Sequence, residues 1–269
     1  MNLTAEPADY VRERSGVAWL EVPLGRSRAV FSARIGGCSA PPRDTLNLAL
    51  HQEADPSIAV RNRHTFAGAA GIDLESCVLC RQVHGTGVTV AGESDAGAGI
   101  LDQGSRVGKA DALVRSGAGP TLVVQVADCA PVVVADPKTG AGACIHAGWR
   151  GAAAGVIGEA VRALSALTGR GAGALVAAVG PCVRTGYEVG PEVWEAFAGV
   201  GDARERFFSG PPDKRRLDLG GAVVAALRAA GIPPDAIVDT GACTLARPDL
   251  FYSHRRDGPE TGRMWGCLV

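Results

Sequence analysis

Three short segments each place a potential metal ligand where a predicted strand ends beside small residues. RQVHG carries His84, VADCAP carries Cys129 and IHAGWRG carries His146. Two imidazoles and one thiolate, with a fourth position open, match the ligand set of a catalytic zinc site. The pattern therefore indicates a candidate site for Zn²⁺, with Cu²⁺ as a second metal that such donors accept.

Two other interpretations of these three residues stay open. Each side chain could be an ordinary core or hydrogen-bonded residue. Cys129 and His146 could also form the nucleophile and base of a thiol hydrolase. Alkylation of Cys129 in metal-free protein would identify such a hydrolase.

The other cysteines and the glycine-rich segments give weaker signals. Cys77 and Cys80 form a Cys-x-x-Cys, but positions i and i+3 of a strand face opposite sides, so these thiols are not expected to share a ligand. Five cysteines are interpreted as structural or incidental: Cys38, Cys77, Cys80, Cys144 and Cys267. GAGAGI and GRGAGA lack both the Walker spacing with GK[ST] and the strand–loop–helix setting of a dinucleotide loop.

The composition excludes several classes of protein. Of the 269 residues 46% are hydrophobic and 20% charged, which excludes intrinsic disorder. The net charge of -1 leaves no basic excess for a nucleic-acid partner. No apolar run approaches the roughly 18 residues of a membrane span, and the first 30 residues lack a signal-peptide pattern. We therefore predict a cytoplasmic protein with no membrane partner, either a monomer or a weak homo-oligomer.

Turn residues divide the chain into many short apolar runs. These predict strands at residues 17–22, 28–34, 77–83, 87–91, 111–115, 121–127, 131–135, 141–146, 175–180 and 236–240. Helices are predicted at residues 56–70, 151–167, 190–198 and 217–230, with long loops at 35–56 and 92–109 and a strand-like tail from Phe251. Strands often follow one another without a helix between them. This order predicts an α+β fold with mixed β-sheets and a single domain, residues 1–269.

The chain resembles the laccase-domain, or "multicopper polyphenol oxidase", family of zinc-dependent purine nucleoside phosphorylases over nearly its whole length. HAGWRG and the ADC turn are specific motifs, and the ordered matches are numerous. Besides the three segments above they are FSARIGG (31–37), TLNLALH (45–51), VRNR (60–63), KADALV (109–114), VGPCVRTGYEVG (179–190), LDL (217–219), CT (243–244) and FYSHRRDGPETGRM (251–264).

The resemblance implies a fold, an activity and a ligand set. The fold would be a compact α/β sandwich of mixed sheets flanked by helices. The activity would be phosphorolysis of adenosine, inosine and S-methyl-5′-thioadenosine, with adenosine deamination as a second activity. His84, Cys129 and His146 correspond to the metal ligands of the family.

Three departures from the family pattern lie outside the ligand set. Gln52-Glu53-Ala54-Asp55 replaces the usual Gly-Asp-Asp turn after LNLALH. Val223 stands where an Asn usually follows LDL, and Val126-Ala127 replaces a Thr or Ser before Asp128. These differences affect loop conformation and nucleoside preference rather than the metal site.

A phosphorolysis reaction needs an anion site beside the metal. The turn after His146 is predicted to open a helix, whose free N–H groups favour phosphate, and Arg150 in that turn could add a bidentate contact. Arg34, in FSARIGG, is the other candidate phosphate ligand. Asp111 and Asp128 are candidates for supporting the metal ligands.

Two rival functions come from other classes. A copper polyphenol oxidase usually has several coppers and repeated His-x-His pairs, whereas this sequence has five His and no such pair. A non-catalytic, metal-binding partner protein is the second rival. For that protein, His84→Ala would leave every activity unchanged.

Overall fold

The structure, a computed structural model, describes residues 7–269. Its strands are β1 Val11–Arg14, β2 Val17–Leu24, β3 Ser27–Ser32, β4 Cys77–Arg81, β5 Val88–Val90, β6 Val107–Lys109, β7 Ala112–Arg115, β8 Thr121–Val126, β9 Ala130–Ala135, β10 Gly142–Ala147, β11 Val176–Val179, β12 Tyr187–Glu188, β13 Phe208–Ser209, β14 Arg216–Leu217, β15 Ile237–Asp239 and β16 Met264–Leu268. Its α-helices are α1 Pro56–Ala70, α2 Trp149–Ala154, α3 Val156–Thr168, α4 Pro191–Ala196, α5 Ala203–Phe207, α6 Leu219–Ala229 and α7 His254–Asp257.

Two large mixed sheets form the centre of the molecule. One has the strand order β1-β2-β3-β16-β8-β4-β6 and the other β15-β11-β9-β10-β7-β5, with β12, β14 and β13 forming a small third sheet. Most neighbours are antiparallel, but β4 runs parallel to β8 and β6, as β11 does to β15 and β5 to β7. The predicted fold of mixed sheets flanked by helices is confirmed.

The apolar runs are explained by burial on both faces of each sheet. In β9, Val132 and Val134 pack under the helices, whereas Val133 faces the core between the two sheets. Helix α1 covers the outer face of the seven-stranded sheet, where Phe66 packs with Trp265. A strand buried on both faces needs apolar residues at every position rather than an alternating pattern.

Helix α1 begins and ends at the residues that the sequence predicts. The side chain of Asp55 accepts a hydrogen bond from the Ser57 N–H at 2.9 Å, and Gly71, with φ 63°, ends the helix. In the same substituted turn Glu53 points inward and accepts hydrogen bonds from Ser39 Oγ and Asn47 Nδ2. The turn thus supplies its own polar contacts in place of the family's Gly-Asp-Asp.

Two predictions of local structure are wrong. The helix expected at residues 151–167 is divided into α2 and α3, because Gly155 adopts φ 91° between them. The tail from Phe251 is not uniformly strand-like: Ser253 Oγ accepts a hydrogen bond from the Arg256 N–H and starts the short helix α7 before β16. None of the helices within residues 7–269 is long and apolar enough to cross a membrane.

Candidate metal centre

The structure brings His84, Cys129 and His146 together at one edge of the two sheets. His84 follows β4, Cys129 lies in the turn between β8 and β9, and His146 is in β10. One ligand atom from each lies within 4.8 Å of the others, and the two imidazole rings meet edge to face with centroids 4.8 Å apart. The three donors are therefore close enough to bind a single ion.

The backbone at this cluster is strained in two places. His84 has φ 59° and Asp128, beside Cys129, has φ 87°. Non-glycine residues rarely adopt such angles, which cost about 1–3 kcal/mol each unless the surroundings hold them. The turns that contain His84 and Asp128 are each held by hydrogen bonds to an aspartate carboxylate.

Asp111 holds both histidines. Its Oδ1 accepts the His84 N–H at 2.9 Å and lies 2.8 Å from His146 Nδ1, while Oδ2 accepts the N–H groups of Val83 and Gly85. Burial raises the pKa of Asp111, but the bonds from His146 and Gly85 outweigh it and lower that pKa. With Nδ1 occupied, Nε2 of His146 is left to bind a metal.

Asp128 supports the Cys129 turn in a similar way. Its carboxylate accepts hydrogen bonds from Thr244 Oγ1 at 2.6 Å and from the Arg255 N–H at 2.7 Å. Its carbonyl accepts the N–H of Val183 at 2.9 Å. Asp111 thus contacts both histidines of the cluster, whereas Asp128 anchors the turn that carries Cys129 to Thr244 and to the start of α7.

Gln82, two residues before His84, lies where the chain leaves β4. Strand β4 pairs with β8 as far as Leu79, opposite Val123. The Gln82 side chain then replaces backbone pairing: its Nε2 donates to the Gln125 carbonyl at 2.8 Å, and its Oε1 accepts the Gln125 N–H at 2.7 Å. The main chain is free to turn and present His84.

Gly148 lets the start of α2 approach the cluster. A Cβ at this position would lie 3.0 Å from Cys129 Sγ and 3.1 Å from His84 Cδ2. Both contacts are tighter than nine in ten real Cβ contacts, so the neighbouring side chains would have to shift by a few tenths of an ångström. The glycine of HAGWRG is therefore explained by the close approach of the backbone to two ligands.

The charges in the cluster favour a thiolate. Burial raises the pKa of Cys129, but His146 and His84 lower it to about 6. Burial lowers the pKa of His146, whereas Cys129 and Asp111 raise it to about 9. At neutral pH Cys129 is thus in the deprotonated form that binds metals.

The Cys-x-x-Cys cysteines have the opposite character. As predicted, they face opposite sides of β4: Cys77 lies in the core under α1 and Cys80 in the core between the sheets. Burial raises the pKa of each thiol to about 12.

We expect Cys80→Ser to keep most activity and all bound metal, because a hydroxyl can also donate to the Ala110 carbonyl that Cys80 Sγ contacts. Metal analysis and turnover measurements check this, and a loss matching that of Cys129→Ser would contradict it.

A cavity of about 550 Å³ opens onto the cluster. The residues that line it are His51, Arg81, Gln82, His84, Gln103, Arg106, Gln125, Ala127, Cys129, His146, His254 and Arg263. Within the described part of the chain, three arginines and no carboxylate line this cavity. Such a surface favours an anionic ligand.

The two arginines predicted to bind phosphate do not line this cavity. Arg150 is exposed and stacks on Trp149, with its guanidinium carbon 4.1 Å from the ring centroid. Arg34 forms an ion pair with Asp44 at 3.2 Å in a separate depression. The motif at the start of α2 does not determine where the Arg150 side chain points. The sequence also does not show that Asp44 is the ion-pair partner of Arg34.

The sequence analysis missed the arginines that the cavity does contain. Arg81 lies in RQVHG and Arg263 in the tail motif FYSHRRDGPETGRM, so both stood in recognised segments. Arg106 lies in the polar stretch 92–109, where the sequence predicts only a loop and no ligand-binding residue. Only the fold brings these three positions to one cavity.

The two-sheet sandwich and its His–Cys–His cluster define a class of α/β proteins with a candidate metal centre at strand ends. Residues 28–269 match the family described as multi-copper polyphenol oxidoreductase laccase, and the chain belongs to this family. The resemblance found from the motifs is thereby confirmed.

Several relatives extend over nearly the whole chain. The purine nucleoside phosphorylase YlmD of Geobacillus stearothermophilus is 33% identical over 264 residues, 96% of each chain. A purine nucleoside phosphorylase of Streptomyces coelicolor is 38% identical over 88% of this chain and 93% of its own. The crystal structure of a hypothetical protein YfiH of Bacillus licheniformis superimposes with a TM-score of 0.89 at 27% identity, covering 96% of this chain and 98% of that one. The structure of Geobacillus YlmD gives a TM-score of 0.87 at 31% identity with the same coverage.

Proposed function

We propose that this protein is a zinc-dependent purine nucleoside phosphorylase. It would transfer the ribosyl group of adenosine or inosine, or the methylthioribosyl group of S-methyl-5′-thioadenosine, to phosphate. A phosphate oxygen forms a bond to C1′ while the bond from C1′ to purine N9 breaks, and the base leaves with that electron pair and one proton. The observation that carries the proposal is the acid-free, arginine-lined cavity that opens onto the His–Cys–His cluster.

The donor set of the cluster fits zinc. One thiolate and two imidazoles, with Asp111 behind His146, are the ligands and outer support of catalytic zinc sites. When bound, the ion would supply a Lewis acid that polarises the phosphate or the purine. His84, Cys129 and His146 would hold it on the cavity side of the sheets.

Arg263 is the proposed phosphate ligand. It lines the cavity, and its Nη1 donates to the carbonyls of Thr261 and Gly262 at 2.6 and 3.1 Å, which fixes the guanidinium. Burial lowers the pKa of Arg263, while the nearby charges of Cys129 and Asp128 act in the opposite direction. The guanidinium is thus positioned in the cavity wall by its hydrogen bonds, where it would bind and orient the attacking anion.

We expect Arg263→Gln to raise the KM for phosphate by about tenfold to a hundredfold, because one charge-assisted contact contributes roughly 1.5–3 kcal/mol. Arg150→Gln is the matched control, since its guanidinium stacks on Trp149 outside the cavity. Initial rates at varied phosphate concentration, with bound zinc measured in parallel, check the prediction. If the KM for phosphate rises more in Arg150→Gln than in Arg263→Gln, the phosphate site lies at the start of α2 instead.

Product analysis tests the proposed reaction itself. Inosine is incubated with the protein in the presence and absence of phosphate. Phosphorolysis gives hypoxanthine and ribose 1-phosphate only when phosphate is present. Equal hypoxanthine release in both samples, with free ribose as the product, would identify a nucleosidase instead.

Adenosine deamination is a second proposed activity, supported by the family resemblance. The usual deaminase signature of H-x-E together with P-C-x-x-C is incomplete here, because Gly85 and Thr86 follow His84 and Thr185 stands where the second cysteine after Cys182 would be. Any deamination at this site therefore uses another arrangement of groups. Adenosine incubated without phosphate should yield inosine and ammonia, and His84→Ala should abolish that product.

A copper-dependent oxidase is the alternative that the family description favours. Within residues 7–269 the His84–Cys129–His146 group is the one cluster of three or more His, Cys, Asp or Glu close enough to hold an ion. Oxidases of the multi-copper type need several centres. Zinc as the bound metal after purification without added metals would support the phosphorylase, and oxygen uptake on phenols by copper-loaded protein would support the oxidase.

A further inference from the structure

Two arginines lie on a part of the cavity wall that the reaction above does not use. Arg81 ends β4, where it pairs in register with Lys109 of β6, and Arg106 immediately precedes β6. Both line the cavity. The side chain of Arg81 is exposed and has no hydrogen bond or ion pair with any residue that the structure describes.

Arg106 is also without a countercharge among residues 7–269. Its Nη2 donates to Gln125 Oε1 at 2.9 Å, and its Nε is buried without a hydrogen-bond partner. Burial lowers the pKa of Arg106, and the neighbouring positive charge of Arg81 lowers it further. Two guanidinium groups without a carboxylate partner among the described residues therefore line the same cavity, an arrangement that a bound anion would stabilise.

The position of Arg106 is fixed by a chain of hydrogen bonds. Gln125, which accepts from Arg106, donates through Nε2 to the Leu48 carbonyl at 3.1 Å. The same carbonyl accepts Nε and Nη2 of the fully buried Arg63 at 2.9 and 2.7 Å. Arg106 is thus fixed from the core outward, whereas Arg81 contributes an exposed side chain beside it.

We propose that Arg81 and Arg106 form a second oxyanion subsite, which binds a phosphate monoester carried by the ligand. Purine nucleoside 5′-monophosphates would then bind to this site more tightly than the corresponding nucleosides, which remain the substrates of the proposed reaction. This inference rests on the proposed function, which directs the base and C1′ toward the cluster and leaves the 5′ carbon at the opposite end of the nucleoside. Phosphorolysis consumes one free phosphate, which Arg263 would bind. Arg81 and Arg106 are therefore left for a negative charge that is part of the ligand itself.

Calorimetric titration of the metal-loaded protein with inosine 5′-monophosphate and with inosine, both without free phosphate, tests the proposal. We expect the monophosphate to bind at least about tenfold more tightly, and Arg81→Gln and Arg106→Gln each to reduce this ratio by about tenfold. Arg228→Gln is the control, because Arg228 is exposed on α6 away from the cavity and should leave the ratio unchanged. Equal affinities for the two ligands would overturn the proposal.

A second titration separates a tethered phosphate from a free one. Orthophosphate is added to Arg263→Gln, which lacks the proposed site for free phosphate. Orthophosphate binding as tight as that of the monophosphate would assign Arg81 and Arg106 to a free anion and overturn the monoester proposal. Because both titrations measure binding, a preference for the monophosphate without any base release would leave the subsite standing and contradict only the proposed reaction.

Discussion

The Cys129→Ser variant is expected to bind zinc more than about a hundredfold more weakly than the wild-type protein and to lose measurable phosphorolysis. The physical reason is the protonation state of the donor. The neighbouring histidines lower the pKa of the thiol to about 6, so it is ionised at neutral pH, whereas a serine hydroxyl stays protonated and neutral. Zinc titration against a competing chelator and the inosine assay measure the two losses.

The control for this variant is Cys80→Ser, which makes the same chemical change in the core between the sheets. It should retain zinc and turnover. Full zinc affinity together with full turnover in Cys129→Ser would remove Cys129 from the ligand set. Loss of turnover with zinc retained would instead revive Cys129 as the nucleophile of a thiol hydrolase.

The Asp111→Asn variant is expected to lower zinc affinity by about tenfold to a hundredfold, and also to reduce the stability of the metal-free protein by about 1–3 kcal/mol. The carboxylate accepts the N–H groups of Val83, His84 and Gly85 and contacts His146 Nδ1. An amide turns one of those acceptor atoms into a donor that faces other donors. Both the ring of His146 and the turn that presents His84 would lose support.

Thermal unfolding with and without zinc distinguishes this role from that of a direct ligand. We expect Asp111→Asn to destabilise the protein in both conditions. Asp136→Asn is a matched control, since Asp136 is a fully buried carboxylate bonded to the Lys138 N–H in a turn outside the cavity. It should lower stability and leave zinc affinity intact. Unchanged zinc affinity in Asp111→Asn would contradict the positioning role.

The sequence was sufficient to predict which three residues cluster, because each lies at a strand end within a short, distinctive segment. Strand ends are local features, so His84, Cys129 and His146 could be chosen without a three-dimensional structure. Their meeting point is set by the order of the strands in both sheets, which only the fold reveals. The break at Gly155 was missed because an apolar face continues through it on both sides.

The anion-binding side of the cavity was less predictable for a different reason. Arg81, Arg106 and Arg263 come from three distant parts of the chain, and nothing in their local sequence separates them from other arginines. Arg150 was favoured because it follows a metal ligand closely in sequence. Its side chain instead stacks on Trp149, since residues at the start of a helix point in several directions.

The position of β16 has a consequence for how the polypeptide folds as it leaves the ribosome. Residues 264–268 lie in the middle of the seven-stranded sheet, bonded to β3 on one side and β8 on the other. Until that segment has been synthesised, β1–β3 cannot join β8, β4 and β6, although every metal ligand has already emerged. Arg263 directly precedes the same strand. A nascent chain can therefore expose the side chains of His84, Cys129 and His146 before either the sheet or the anion site exists, so assembly of the seven-stranded sheet waits for β16.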